Sequence, residues 1–318
     1  MWSALFARPC SQAAPIFERQ RWATPDADFI DVDFLRHPPT HSAGAHSMQD
    51  RTTLVLFHGL EGSSRSHYAQ AFADWALQRQ VNLVIPHFRG CSGELNWAPR
   101  AYHSGDHAEI DWILQRVAQQ QHAQAPVVAA GVSLGGNALM RWAGEHGAAA
   151  AQRVKAVASI CSPLDLAASG QAIGRGLNRQ VYTRMFLRSM KPKAMAKWQQ
   201  FPGLFDVQRL QASRDLFEFD NVFTAPLHGF ADTHDYWLQA SALPHLQQIQ
   251  IPALALNALN DPFIPASSLP TPAQVSRHVT LWQPLHGGHV GFPSGAPPAH
   301  LAAMPHAVGG WLLEQLHG

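Results

Sequence analysis

The chain has 318 residues, 46% of them apolar, enough for one large core or two modest ones and too many for a small stapled scaffold. Its 23 Lys and Arg against 22 Asp and Glu leave a net charge of +1, which excludes the cationic surface of a general nucleic-acid binder, so no nucleic-acid partner is expected. Three cysteines, Cys10, Cys91 and Cys161, form no CxxC pair, so neither a disulfide framework nor a thiolate zinc site is expected and a reducing compartment fits.

The first ten residues place Arg8 and Pro9 where a signal peptide needs an apolar stretch, and no apolar run approaches the ~20 residues that cross a bilayer. A cytoplasmic location follows as the expectation. Residues 29–34 alternate apolar and acidic side chains, which predicts a half-exposed antiparallel strand at a sheet edge. From Thr52 on, short β-rich runs alternate with helical stretches, the pattern of a parallel sheet covered on both faces. The strands fall at 53–57, 82–86, 126–131, 154–160, 252–256 and 278–282, with helices at about 68–80 and 108–120, from near Gly135, and at about 300–316. Residues 162–241 break the rhythm, are helical in composition and rich in Trp, Phe and Met, and are read as a cap inserted into a core of residues 1–161 and 242–318.

Gly131-Val132-Ser133-Leu134-Gly135 matches G-x-S-x-G in its required context, a buried strand before it and a helix after it. A serine at such a turn is strained, and only small residues two positions either side let strand and helix approach. Ser133 is therefore the candidate nucleophile, and the Leu134 amide at the new helix N-terminus a candidate oxyanion donor. The same glycines do not read as a dinucleotide site, because Ser133 occupies the place of the middle Gly. His58-Gly59-Leu60-Glu61-Gly62 closes the strand at 53–57, where the second donor belongs; the Leu60 amide is the candidate, and His58 is expected to brace the loop.

A serine hydroxyl needs an imidazole to take its proton, and the imidazole needs a carboxylate to fix its tautomer. Asp261 and His289 follow successive strands in the required order of serine, acid, base. Asp165 is the rival acid and His286 the rival base. His103 and His107 stand at helical i,i+4 spacing, but with no HExxH glutamate and no clear third ligand, so no metal is expected.

Together, residues 58–63, 88–93 (Phe-Arg-Gly-Cys-Ser-Gly), 131–137 and 287–292 (Gly-Gly-His-Val-Gly-Phe) resemble the YheT-like α/β-hydrolases, AB-hydrolase family 4. Asp220, Gly229-Phe230, Asp235-Tyr236, Ser241, Ile249, Pro252 and Asn260-Asp261 fit the same family in order, from about Ile16 to the C-terminus; Trp237 stands where the family commonly has Tyr. The resemblance implies an α/β-hydrolase fold with a mostly parallel eight-stranded sheet and an inserted helical cap. It assigns Ser133 as nucleophile, Asp261 as acid and His289 as base, and implies carboxylic-ester hydrolysis without a cofactor, with acyl transfer to alcohols or phospholipase activity in some relatives. A small-molecule ester is then the expected partner, short- to medium-chain because an apolar cap above a polar triad suits acyl chains. The rival of another class is a non-catalytic binding protein on the same fold.

Between residues 166 and 205 lie seven cations, Arg175, Arg179, Arg184, Arg188, Lys191, Lys193 and Lys197, and no acid, so the rest of the chain carries −6. Weak peripheral membrane contact through this basic segment is one reading. Neutralisation within the cap by Asp206, Asp215, Glu218, Asp220, Asp232 and Asp235 is the reading preferred on sequence.

Overall fold

The computed structural model describes residues 14–38, 50–122, 125–295 and 299–317. Cys10 and the segment read against an export signal lie outside them. Eight strands form one sheet: β1 (Phe17–Ala23), β2 (Phe29–Leu35), β3 (Thr53–Phe57), β4 (Asn82–Pro86), β5 (Val127–Val132), β6 (Val157–Ile160), β7 (Ala253–Leu256) and β8 (Val279–Trp282). Their spatial order is β1-β2-β4-β3-β5-β6-β7-β8, with β4 through β8 parallel and β1 and β2 antiparallel to their neighbours. β3, β4, β5, β6 and β7 are buried along their whole length, as their uninterrupted apolar runs require once both faces are covered.

Helices α1 (His67–Arg79) and α9 (Ala303–Glu314) cover one face through Phe72, Trp75, Val308 and Leu312, and α2 (His107–Gln120) and α3 (Leu134–His146) cover the other through Ile110, Leu114, Leu139 and Trp142. Each parallel crossover thereby buries an apolar helix face on the sheet.

The edge assignment of residues 29–34 is corrected. β2 is antiparallel but interior, because β1 pairs along its outer side. The acids that looked solvent-facing are roofed by the arginines directly opposite: Arg19 Nε donates to Asp33 at 2.7 Å and Arg21 Nε to Asp31 at 2.8 Å. Asp33 also accepts from Ser64 at 2.6 Å and contacts His87 at 2.8 Å, and these partners hold its carboxyl well below the usual range despite its burial.

Between β6 and β7 the chain forms a helical cap: α4 (Leu166–Ile173), a short helical turn (Gly176–Asn178), a π-helical turn (Arg179–Thr183), α5 (Arg184–Gln200), α6 (Val207–Ala212), α7 (Leu216–Val222) and α8 (Thr233–Ala240). The expected neutralisation of its cations by the later acids is not formed as ion pairs: among the described residues no later acid lies within ion-pair distance of a cap cation, and only Glu218 acts on one of them, Lys191, through its charge. Asp206, Asp215 and Asp232 cap α6, α7 and α8, accepting from the amides of Arg209, Glu218 and Asp235. Helix N-termini leave amides unsatisfied, and these short acidic side chains are used there. Asp220 is buried against Thr224 and Trp237 instead, and burial pushes its carboxyl up to about 6. Trp237, the residue that departs from the family pattern, thus holds Asp220 through its indole N–H at 3.0 Å.

Candidate active site

Ser133 joins β5 to α3 with φ 52° and ψ −118°, a strained backbone for a residue with a side chain. The glycines around it are sterically required. A Cβ on Gly131 would lie 2.5 Å from Gly135 O, one on Gly135 2.5 Å from His58 O, and one on Gly136 2.0 Å from Ser162 Oγ. The Ser133 hydroxyl has no hydrogen-bond partner among the described residues.

The loop after β3 lies against this turn, where a Cβ on Gly59 would sit 3.2 Å from Ser133 Cβ. Two tyrosines hold it: Gly59 N–H donates to Tyr68 Oη at 2.9 Å, and Glu61 N–H to Tyr102 Oη at 3.0 Å. The Leu60 amide between them has no partner among the described residues, and Leu60 lines the same cavity as Ser133 and Leu134. His58 braces the loop as expected. Its Nδ1 faces Gly59 O at 2.8 Å, its Nε2 accepts from Phe88 N–H at 3.0 Å, and complete burial lowers its pKa to about 3, which keeps the ring neutral.

Asp261 and His289 follow β7 and β8. His289 Nδ1 lies 2.8 Å from Asp261 Oδ2, whose side chain is fully buried and also accepts from Phe263 N–H at 2.8 Å. This bond fixes the His289 tautomer and frees Nε2 on the opposite side of the ring. The loop before His289 is held by Asn260, whose Oδ1 accepts from Gly287 N–H at 3.0 Å and Gly288 N–H at 2.8 Å, and Gly288 takes φ +60°. Phe263 packs against the His289 ring in a tilted contact at 4.3 Å and lines the cavity with Ser133.

The rivals are placed elsewhere. Asp165 caps α4, accepting from Ala168 N–H at 3.0 Å, and His286 is exposed. His103 precedes α2 and its ring packs against His228, so the helical pairing with His107 is not formed. Among the described residues, Cys161, Asp261 and His289 bring three potential metal ligands within 4.8 Å of one another. Burial pushes the Cys161 thiol up, keeping it protonated, and its sulfur already accepts from Val290 N–H at 3.3 Å. Cys91 and Cys161 are both free thiols.

The cavity holds about 150 Å³ and runs from Ser133 beneath the cap, walled by Leu166, Ile173, Phe186, Met190, Phe219 and Phe223. Sequence reasoning singles out Ser133, Asp261 and His289, of which the structure brings His289 against Asp261, and it passes over Asn260 and Phe263, which hold the loop before His289 and pack against its ring. For Asn260 the signal was its adjacency to Asp261.

The signature of the alpha/beta hydrolase fold matches residues 52–296. YheT of Escherichia coli (strain K12), which carries an esterase name, is 38% identical over 87% of this chain and 78% of its own length. Phospholipase ABHD3 of Mus musculus is 27% identical over 88% of this chain and 67% of its own. In three dimensions, Est1E from Butyrivibrio proteoclasticus superposes with a TM-score of 0.57 at 14% identity, covering 96% of this chain and all of that one, a likeness of fold alone. No helix among the described residues is long and apolar enough to cross a membrane. The chain belongs to the α/β-hydrolase family and, within it, to the YheT-like hydrolases.

Proposed function

We propose that the protein is a serine esterase that cleaves carboxylic esters of short to medium acyl chain through an acyl-enzyme. Ser133 Oγ attacks the ester carbonyl while His289 Nε2 takes its proton, and Asp261 stabilises the imidazolium that forms. The amides of Leu60 and Leu134 receive the developing oxyanion; losing one such donor typically costs about 100-fold to 1000-fold in rate. The alcohol leaves with the proton from His289, and water, activated by the same imidazole, releases the acid and regenerates Ser133.

The observation that carries this reading is the 2.8 Å contact of His289 Nδ1 with the buried Asp261 carboxylate, in a loop whose neighbour Phe263 walls the cavity that holds Ser133. A structural ion pair needs no strained serine on the cavity that its neighbour Phe263 walls, and no free amides there. The esterase names of relatives support the same chemistry. The test is turnover of p-nitrophenyl butyrate with labelling by a fluorophosphonate probe. Wild type turns over and labels, and Ser133→Ala loses both, with activity falling about a million-fold. Wild-type protein that neither labels nor hydrolyses any ester of a chain-length series would overturn the reading in favour of a non-catalytic binding protein.

A further inference from the structure

The segment 175–200 has two faces with different characters. Inward, Phe186, Met190, Ala194 and Lys197 wall the cavity, and the Lys197 ammonium is consumed by Asn96 O, Ala98 O and Gln200 Oε1 at 2.6, 2.9 and 2.9 Å. Outward, Leu177, Val181 and Met185 are 78%, 56% and 47% exposed. They stand four residues apart, a spacing that puts them in one stripe along a helix. Arg175, Arg179, Arg184 and Arg188 flank the stripe, all exposed and none within ion-pair distance of a carboxylate among the described residues. Arg179, Arg184 and Arg188 also line an open groove with Lys191 and Arg214.

A solvated face of charge would pair its cations with nearby acids or leave out the large apolar side chains; this one does neither. An apolar stripe bordered by unpaired cations is the arrangement that lies in the headgroup region of an anionic bilayer, where the stripe buries and the guanidiniums meet lipid phosphates. Of the acids that could have neutralised it, Asp206, Asp215 and Asp232 are committed as helix caps and Asp220 is buried against Thr224 and Trp237. Five of the seven cations of residues 166–205 belong to this side, since Lys193 pairs with Glu61 and Lys197 is buried, so the rest of the chain carries −4 and is repelled by the same surface, which orients the molecule with this face down.

We propose that the outer face of residues 175–191 is a docking surface for anionic membrane lipid. Docking there sets the wall of the acyl cavity against the bilayer, so an ester dissolved in lipid reaches the cap without crossing bulk water. The surface is independent of the esterase reading, since binding is measured without turnover.

The experiment is flotation of the full chain with vesicles of phosphatidylcholine alone or mixed with phosphatidylglycerol, at low and high salt. Binding is expected to the mixed vesicles only and to be lost at high salt. Each arginine near the surface is worth about 1 kcal/mol, so R179Q/R184Q/R188Q lowers partitioning at low salt roughly 100-fold, and V181S/M185S lowers it at low salt while leaving its salt dependence unchanged. Both variants keep wild-type thermal melting and wild-type turnover of a water-soluble ester if that activity exists; these residues do not line the cavity. Absence of binding, equal binding to neutral vesicles, or binding indifferent to the triple substitution overturns the proposal. So does a concentration-dependent dimer abolished by V181S/M185S without vesicle binding, which would assign the face to a second copy of the chain.

Discussion

Lys193 Nζ of the cap helix α5 donates to Glu61 Oε1 at 3.0 Å, joining the cap to the loop that carries the Leu60 amide. Glu61 itself adopts φ 58°, a left-handed conformation disfavoured for a glutamate, and Tyr102 Oη binds both its backbone N–H and its carboxylate. Tyr102 is in turn stacked on Phe88 at 5.5 Å. The ammonium therefore completes a clamp on the residue next to Leu60. Lys193→Met is expected to lower kcat about 10-fold with KM within about twofold, since the oxyanion donor shifts while the acyl wall stays. Glu61→Gln should do the same, and the double variant should cost little more than either alone, because both break one contact. Steady-state kinetics of the three variants on p-nitrophenyl butyrate check this, and additive losses would separate Lys193 from the loop.

How much of this was legible in the sequence depends on how local each interaction is. The turn at Ser133 is written in five consecutive residues, and Asp261 and His289 lie past successive strands, so all three stand out as candidates. Lys193 and Glu61 are 132 positions apart, and no periodicity encodes such a pair. β1 went unread because only Trp22 of its seven residues is buried, so it carries no apolar alternation. The same omission misplaced β2, whose Asp31 and Asp33 look solvated until Arg21 and Arg19 cover them. The cap cations misled for a related reason: sequence proximity of acids suggested neutralisation, whereas three of those acids serve unsatisfied amides of their own helices.

Asp261→Asn tests the acid directly. An amide facing His289 Nδ1 from the same position preserves the shape but favours the wrong imidazole tautomer, which leaves Nε2 protonated and unable to accept from Ser133. A fall of about 10,000-fold in kcat is expected near neutral pH, with the melting temperature close to wild type. Retention of more than a tenth of the activity would move the acid role away from Asp261.

Gly135→Ala and Gly136→Ala test the steric reading of the turn. The added methyl at 135 meets the carbonyls of His58 and Phe57 at 2.5 and 2.7 Å, and at 136 it meets Ser162 Oγ and the Gly131 carbonyl. Backbone on one or both sides has to move. Overpacking of this kind costs about 1–3 kcal/mol, occasionally more, and should also displace Ser133. Chemical denaturation reports the first effect and fluorophosphonate labelling rate the second. Unchanged stability in both variants would show that strand and helix have room to part.

Stability should fall on the acid side. Burial lowers both His58 and His103 to about 3, so each stays neutral in the folded chain while the unfolded chain takes up a proton below about 6.5. The unfolded state then binds more protons, and the contribution is complete above pH 6.5 and lost as pH drops toward 3. By pH 5 each histidine has removed about 2 kcal/mol. Urea unfolding of wild type and His103→Gln at pH 7 and pH 5 checks the sign: the variant, lacking one titrating ring, should lose less between the two conditions. An equal or greater loss would place the acid sensitivity elsewhere.

The volume of the cavity sets the last expectation. About 150 Å³ is the size of an apolar void that admits a six-carbon guest such as benzene, so kcat/KM across p-nitrophenyl esters should peak at acyl chains of about four to six carbons. Along the rising part of the series each added methylene buries about 0.8 kcal/mol of apolar surface, a factor of about four in kcat/KM. Phe186 lies on the cavity wall and packs edge-on to Phe263 at 6.2 Å, the ring that lies tilted against His289. Phe186→Ala opens space on the acyl side without touching Ser133 or the Leu60 loop. Its optimum should therefore shift toward longer chains while activity on the acetate ester stays near wild type. An unshifted optimum would mean that the acyl chain lies along another wall, with Phe186 packing the cap alone.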